Sequence, residues 1–193
     1  MHNIPIIRAV PTGETKTRSY NGDYMKAGRK AEEIVLGFLR ERPEIVGVED
    51  LRELRVMHEA DVDCALYTRD GRVPLAEIKS DVYLGNSGNV LFEILRINHT
   101  CVPEKAGALG WSLRSPATYF FYYAPTPNKI YQCRADDLRG AFQRYTREER
   151  AGANPRWINT DSIKSTLVVL IPWDYCKGIF TIYDLPDDEE IPF

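Results

Sequence analysis

Two short runs of strand-forming residues flank a turn, and acidic residues stand in or beside them where a buried strand would be apolar. The runs cover residues 62–67 and 73–78, and the turn between them is Arg69-Asp70-Gly71. Side chains of a strand alternate between the two faces of a sheet, so residues two apart share a face. The charged residues that share a face in this way are Asp61 with Asp63 and Glu77 with Lys79. A fold that packs this hairpin must neutralise these charges or use them to bind something.

The length of the turn decides whether the charges of the two strands meet. With Asp70-Gly71 as a two-residue turn, the carboxylates of Asp63 and Glu77 fall on opposite faces of the sheet. With Arg69-Asp70-Gly71 as a three-residue loop that ends in a left-handed glycine, Asp63 lies opposite Glu77. Glycine is the residue that such a loop favours at its third position. We therefore predict the three-residue loop, with Gly71 at positive φ.

In this register Asp63 lies opposite Glu77, and Asp61 lies opposite Lys79. The carboxylates of Asp63 and Glu77 therefore converge with the ammonium of Lys79. Carboxylates that face each other at about 5 Å repel, and a shared divalent cation relieves the repulsion. Mg²⁺ prefers carboxylate, carbonyl and water ligands, and the backbone carbonyl of Ile78 would lie between the two side chains. A lysine beside such an ion can orient a water or stabilise charge on a phosphoryl oxygen. Phosphodiester hydrolysis needs this combination.

The same residues resemble the PD-(D/E)xK nuclease superfamily, which includes many restriction endonucleases, archaeal-type Holliday-junction resolvases and phage exonucleases. In that superfamily an acidic residue opens one strand, (D/E)-x-K follows on the antiparallel neighbour, and a glutamate often stands on a preceding helix. Glu77-Ile78-Lys79 is similar to the second element and Asp63 to the first, with Asp61 as the alternative. Gly28-Arg29-Lys30-Ala31-Glu32 is similar to the Gly-x-x-x-Glu helix. The proline that often precedes the aspartate is absent here, as it is in many members.

The resemblance covers about residues 24–99 and implies the fold. Residues 87–93 are similar to the third core strand, and residues 111–120 are more weakly similar to the S-x-A-D-Y strand of some phage and mobile-element relatives. The implied class is α/β, with a restriction-endonuclease-like mixed β-sheet flanked by α-helices. We expect a single nuclease domain over residues 1–193, with an extended arm over 1–22 and an acidic tail over 184–193.

The resemblance also implies a divalent-metal-dependent nuclease that hydrolyses DNA with a metal-activated water. Mg²⁺ is the expected cofactor, with Mn²⁺ as a substitute. Asp63, Glu77 and the carbonyl of Ile78 would bind the metal, and Lys79 would assist the attacking water. Three further acidic residues stay open as additional ligands, namely Glu32, Asp61 and Glu93. Glu32 lies beside the buried stripe of its helix, which favours it over its neighbour Glu33, and Glu93 is either an edge residue or a fourth carboxylate of the site.

DNA is the expected partner, and RNA stays open. The candidate contacts to nucleic acid are Lys26, Arg29, Lys30 and Asn89. A homodimer also stays open. Two alternatives to the enzyme remain. One is a catalytically silent nucleic-acid-binding or assembly module with the same fold, and the other is a binding protein whose charges form only a surface ion network, which contributes little to stability.

Apolar periodicity outlines the rest of the chain. A buried stripe predicts a helix over residues 24–42 that ends before Pro43. Strands are expected over residues 54–57, 90–97, 166–171 and 179–183, and a hairpin over 118–133 is expected around Pro125-Thr126-Pro127. Residues 135–145 return to a helical pattern.

Composition excludes several classes of protein. The formal charge is −3, with 25 basic and 28 acidic residues, so the chain is not a globally basic nucleic-acid binder. The cysteines are too far apart for a zinc cluster and are expected to be reduced thiols; they are Cys64, Cys101, Cys133 and Cys176. The histidines are isolated; they are His2, His58 and His99. The sequence has neither a membrane-spanning run nor a signal peptide, so no membrane partner and a cytoplasmic location are expected.

Overall fold

The computed structural model describes residues 23–81, 84–98, 107–148, 155–159 and 164–186. The predicted arm over 1–22, tail residues 187–193, His2, His99 and Cys101 lie outside them. The helices are α1 (Asp23–Arg40), α2 (Arg55–Glu59), α3 (Leu84–Ser87), α4 (Trp111–Arg114), α5 (Ala135–Glu148) and α6 (Trp173–Cys176), and a 3-10 turn covers Lys177–Ile179. The strands are β1 (Ile45–Asp50), β2 (Cys64–Thr68), β3 (Leu75–Ser80), β4 (Asn89–Asn98), β5 (Gly107–Leu109), β6 (Tyr119–Ala124), β7 (Lys129–Arg134), β8 (Arg156–Asn159), β9 (Lys164–Pro172) and β10 (Thr181–Asp184).

The described strands form two sheets. One has six strands in the order β1-β2-β3-β6-β7-β10, in which β3 and β6 are parallel and the other neighbours are antiparallel. The other has four antiparallel strands in the order β5-β4-β9-β8. The predicted α/β class, with a mixed sheet flanked by helices, is confirmed.

Helix α1 packs on one face of the six-stranded sheet because one stripe of the helix is apolar. The buried residues of this stripe are Ala31, Val35, Leu36 and Leu39. They form one cluster with residues of β2 and β3, namely Cys64, Leu66, Ala76 and Ile78. The helix ends at Arg40, before Pro43, which agrees with the prediction over 24–42 to within the usual uncertainty of helix ends.

The opposite face of the six-stranded sheet packs against the second sheet and α5. The cluster on this side contains Phe120 and Tyr122 of β6, Phe92 of β4, Val169 of β9 and Leu138 of α5. Because β6 is covered on both faces, it reads as a continuous apolar and aromatic run. The predicted helix over 135–145 and the predicted hairpin of β6 and β7 are confirmed.

One predicted strand is absent from its place, and strand β1 has no counterpart among the predictions. The strand expected over residues 54–57 is wrong, because this stretch leads into α2, where the Leu54 carbonyl accepts the N–H groups of Met57 and His58 at 2.9 Å. Val56 is 69% exposed, so its apolar side chain does not mark a buried strand. Strand β1 has no clear signal in the sequence, because it lies at the edge of the sheet, contains Gly47 and ends in two acidic residues.

The expected third core strand over residues 87–93 does not join the sheet of the hairpin. These residues lead into and form β4, which pairs with β5 and β9 in the second sheet. The neighbour of β3 is β6 instead, which begins at the end of the more weakly similar segment 111–120. The expected catalytic core over 24–99 therefore contributes strands to both sheets. None of the described helices is long and apolar enough to cross a membrane.

Candidate active site

The hairpin of β2 and β3 has the predicted loop. Gly71 has a φ of 81°, and its N–H donates to the Thr68 carbonyl at 2.9 Å. The Thr68 N–H donates to the Arg72 carbonyl at 3.0 Å, and Cys64 pairs with Ala76. This is the three-residue register, so the prediction is confirmed, and the end of the hairpin brings residue 63 to the level of residue 77.

A groove of about 600 Å³ lies at this end of the hairpin, beside the N-terminal half of α1. Its walls come from α1, from the segment between β1 and β2, and from the end of β3. The residues that line it are Gly28, Arg29, Glu32, Glu33, Arg52, Glu53, His58, Asp61, Asp63, Glu77 and Lys79. Six of these side chains are carboxylates, so the groove is a place where cations are attracted.

Asp63 stands directly before β2 and is fixed by the backbone of β3. Its carboxylate Oδ2 accepts the N–H of Ile78 at 2.7 Å, and its own N–H donates to the Ala76 carbonyl at 2.9 Å. One hydrogen bond to the carboxylate sets its orientation without using both oxygens. The N–H and C=O of one strand residue point to the same side, so the carbonyl of Ile78 faces the same side as Asp63.

Glu77 is the most deeply buried acid of the groove, with 1% of the residue exposed. Its Oε1 is paired with the ammonium of Lys79, and its Oε2 has no hydrogen-bond partner among the described residues. Burial raises the pKa of Glu77 to about 8; the Lys79 ammonium opposes this rise, and repulsion by Asp63 and Asp61 adds to it. A buried carboxylate oxygen without a partner is costly, so it marks a place that another group can satisfy.

Lys79 lies between Glu77 and an aromatic ring. Its Nζ atom is 5.1 Å from the centre of the Trp111 ring. Burial alone would lower the pKa of Lys79, but the carboxylates of Glu77 and Asp63 outweigh it and raise the pKa above its ordinary value. The side chain therefore carries its charge over the whole physiological range.

Glu32 is held by an arginine that sequence reasoning missed. Arg52 Nη1 donates to Glu32 Oε2 at 2.9 Å, and its other nitrogens bind Glu33 and Asp50. The side chain of Glu32 is 27% exposed and that of Glu33 is 60% exposed, which agrees with the predicted difference between the two. No local pattern marks Arg52, because its partners on α1 lie 19 and 20 residues earlier in the chain.

Asp61 reaches the groove from a turn and not from the strand. It has a φ of 55°, a left-handed conformation in which Asp is one of the more frequent residues. Its carboxylate accepts the Nε of Arg114 at 2.9 Å, and its carbonyl accepts the hydroxyl of Ser115 at 2.6 Å. Asp61 thus has a cationic partner from α4, while Asp63 is held by a backbone N–H.

The remaining predicted residues divide between the groove and other surfaces. Glu93 does not line the groove; it lies on β4, 3.2 Å from Arg96, with Oε1 accepting the Trp111 N–H. Arg29 lines the groove, while Lys26 and Lys30 are exposed on the same helix. Asn89 begins β4 and donates its side-chain amide to the Ser87 carbonyl at 2.9 Å.

Among the described residues, no three acidic, histidine or cysteine side chains lie close enough together to hold a metal ion by themselves. The groove instead offers Asp63 and Glu77 as its central pair, with Glu32 and Asp61 each tied to an arginine. His58, expected to be isolated, lines the same groove.

A second cavity of about 430 Å³ lies at the other end of α1. Aromatic and arginine side chains line it, including Phe38, Tyr119 and Tyr183. Its arginines already have partners, namely Arg42 with Glu44 and Arg72 with Asp70 within its own wall, and Arg69 with the Pro43 carbonyl beside it. The first groove is therefore the stronger candidate for a site that binds an ion or a charged substrate.

No family model and no curated protein matches the chain. Among solved structures, the chain is similar to a nuclease from a fusselovirus, with a TM-score of 0.33 and 16% sequence identity over 86% of this chain and 88% of that chain. A likeness of this size assigns neither a family nor a function.

Proposed function

We propose that the protein is a divalent-metal-dependent nuclease that hydrolyses DNA phosphodiester bonds at the groove. One observation carries the proposal. Glu77 Oε2 is buried in the groove beside Asp63 and Lys79, and no described residue is its hydrogen-bond partner. Buried polar atoms of native proteins have hydrogen-bond partners in the large majority of cases, so this oxygen calls for one. A bound cation is a group that would satisfy this oxygen.

The donors of the groove fit Mg²⁺ better than a metal that needs several protein ligands. Mg²⁺ keeps several of its waters and is commonly held by one or two carboxylates together with substrate phosphates. Asp63, Glu77 and the carbonyl of Ile78 would hold the ion, and Mn²⁺ would substitute for it. The ion would supply a lowered pKa for a bound water and stabilisation of charge on the phosphoryl oxygens. Glu32 and Asp61 would add water contacts, since each already has an arginine partner.

The side chains of the groove would divide the remaining work. Asp63 keeps a fixed orientation because the Ile78 N–H holds one of its oxygens. Lys79 holds an ammonium against Glu77 at the end of β3, where it can donate hydrogen bonds to the attacking water or to a phosphate oxygen. Arg29, Lys26 and Lys30 would contact the nucleic-acid backbone along α1, where exposed basic side chains favour phosphate.

Incubation with DNA tests the proposal directly. We expect the protein to degrade circular or linear DNA with Mg²⁺ or Mn²⁺ and to be inactive in EDTA, and RNA is tested beside DNA. A Lys79→Met variant should lose cleavage, while Lys177→Met, which removes an exposed lysine paired with Asp174, should keep it. Cleavage that survives in EDTA, or that both variants retain, would contradict the proposed site.

A second candidate is a nucleic-acid-binding or assembly module that does not cleave. It is favoured by the lack, among the described residues, of three side chains that could hold a metal by themselves. Such a module would bind DNA equally well in EDTA and in Mn²⁺, and calorimetry would show no binding of Mn²⁺ to the groove.

A further inference from the structure

The ammonium of Lys79 contacts an aromatic ring as well as the carboxylate of Glu77. Its Nζ lies 5.1 Å from the centre of the Trp111 ring, and Trp111 is only 4% exposed. The indole packs edge-on against Phe120, with ring centres 5.0 Å apart. A cation is attracted to the face of an aromatic ring, and the attraction grows when water is excluded. The direction of the Lys79 side chain therefore depends on where Trp111 lies.

Trp111 is placed by the attachment of α4 to β4. The Gly110 backbone N–H donates to the Ile94 carbonyl at 2.8 Å, and the Trp111 backbone N–H donates to Glu93 Oε1 at 3.3 Å. In return the Glu93 N–H donates to Ser112 Oγ at 3.0 Å. Three consecutive residues, 110–112, are thus tied to two consecutive residues of β4, 93 and 94.

The backbone at Gly110, directly before α4, lies too close to Glu93 for a side chain at this position. A Cβ atom at Gly110 would lie 2.4 Å from the Glu93 carbonyl oxygen and 2.6 Å from Glu93 Cγ. Gly110 has an ordinary φ of −62°, so glycine is needed for space and not for its conformation. Both the backbone and the side chain of Glu93 therefore contact the start of α4 closely.

Glu93 is 7% exposed, and its known contacts are with Arg96 and α4, outside the groove. We infer that Glu93 is a positioning residue: by fixing the start of α4 it sets the Trp111 ring against the Lys79 ammonium. The inference rests on the proposed function for the role of Lys79, and it gives Glu93 a role other than metal ligand. Small displacements of a reacting group can reduce rates about a hundredfold, so loss of this support should be visible in cleavage.

The test combines a spectroscopic readout with kinetics. The ε-methylene protons of Lys79, assigned by comparison with Lys79→Arg, should be shifted upfield by the Trp111 ring current in metal-free protein. Trp111→Leu should abolish the shift, and Trp111→Phe should keep a smaller one if the leucine variant does not fold. Glu93→Ala should reduce the shift. Glu93→Gln should keep it, because the side-chain amide oxygen of the glutamine can still accept the backbone N–H of Trp111.

Arg96→Gln is the matched control, because it removes the ionic partner of Glu93 and leaves the contact with Trp111 in place. In cleavage assays Glu93→Ala should lower kcat about tenfold or more with KM for DNA little changed, and Glu93→Gln and Arg96→Gln should remain close to wild type.

Two results would overturn the inference. One is an unchanged Lys79 shift in a folded Glu93→Ala variant. The other is a loss of Mn²⁺ affinity in Glu93→Gln, which would make Glu93 a metal ligand. An inactive wild type would refute the proposed function but not this placement, because the ring-current measurement needs neither metal nor substrate.

Discussion

At the scale of single residues, the two central carboxylates of the groove are held in different ways. A backbone N–H orients Asp63, whereas Glu77 is shut away from water with one oxygen on Lys79. The charge of Asp63 is one of the causes that raise the pKa of Glu77, so the two acids repel each other across the groove. Neutralising Asp63 should therefore lower the pKa of Glu77 and remove the repulsion between the two charged carboxylates.

We expect Asp63→Asn to stabilise the metal-free protein and to abolish cleavage. The amide oxygen can still accept the Ile78 N–H, while the repulsion with Glu77 is lost. Above pH 8, where Glu77 is charged, the free energy of unfolding should therefore rise by about 1 kcal/mol, the scale of one pKa unit. Urea unfolding in EDTA measures this, with the exposed Asp174→Asn as control. An Asp63→Asn variant that unfolds more easily than wild type would favour a surface ion network.

Lys79 and the carboxylates should separate in their effects on metal binding. Lys79→Ala should remove cleavage without lowering the affinity for Mn²⁺, because an ammonium has no lone pair for a cation. Asp63→Ala and Glu77→Ala should weaken Mn²⁺ binding itself. Calorimetric titration compares the three variants, and an equal loss of affinity in all of them would refute this division of roles.

At the scale of elements, the hairpin of β2 and β3 brings the groove together through its loop. A Cβ at Gly71 would meet none of the described residues within 4 Å, so only the backbone conformation, with a φ of 81°, requires glycine there. Changing the loop length by one residue would turn Asp63 to the other face of the sheet. The loop thus determines the chemistry of residues several positions away.

Gly71→Ala should lower the free energy of unfolding by about 1 kcal/mol, the cost of a left-handed conformation for a residue with a Cβ. Gly71→Asn should cost less, because asparagine tolerates this conformation better. Urea unfolding gives both values. Gly178→Ala is the matched control, since a Cβ there also meets no atom within 4 Å in the described part of the chain and its φ is not left-handed. Equal losses in Gly71→Ala and Gly178→Ala would contradict the argument.

The hairpin could be predicted from the sequence, because its register follows from a local loop and from the alternation of side chains along each strand. Asp63, Glu77 and Lys79 could be predicted as neighbours for this reason. Arg52 and Arg114 could not, because the acids of the groove that they hold, Glu32 and Asp61, lie 20 and 53 residues away. The sheet that β4 joins could not be predicted either. An apolar pattern indicates a buried strand, but it does not indicate which strands pair with it.

At the scale of the whole molecule, charge crowding in the groove should link folding to the metal. A cation that binds only the folded state stabilises it by RT ln(1 + [L]/Kd), which is about 2.7 kcal/mol at a hundredfold excess over Kd. Mn²⁺ should therefore raise the Tm of wild type and leave that of Glu77→Gln nearly unchanged. Calorimetric scans with and without Mn²⁺ test this, with Glu44→Gln, far from the groove, as a control that should behave like wild type.

The raised pKa of Glu77 also predicts how stability depends on pH without metal. Between the ordinary value of 4.5 and the folded value of about 8, the folded state keeps a proton that the unfolded state loses. The free energy of unfolding should therefore fall as pH rises through this window, by at most about 1.4 kcal/mol per pH unit, and level off above it. The difference between wild type and Glu77→Gln in EDTA isolates this effect, and a difference independent of pH would contradict it.

The parallel pairing of β3 with β6 has a consequence for the order of events during synthesis. Residues 81–118 separate the two strands, and Trp111 stands near the end of this interval. At about 5–20 residues per second, roughly 2 to 8 seconds pass between the synthesis of Lys79 and that of its parallel neighbour strand. The early hairpin therefore leaves the ribosome with its charged residues but without Trp111 and β6. The groove of a nascent chain stays unfinished until β6 has also left the ribosome.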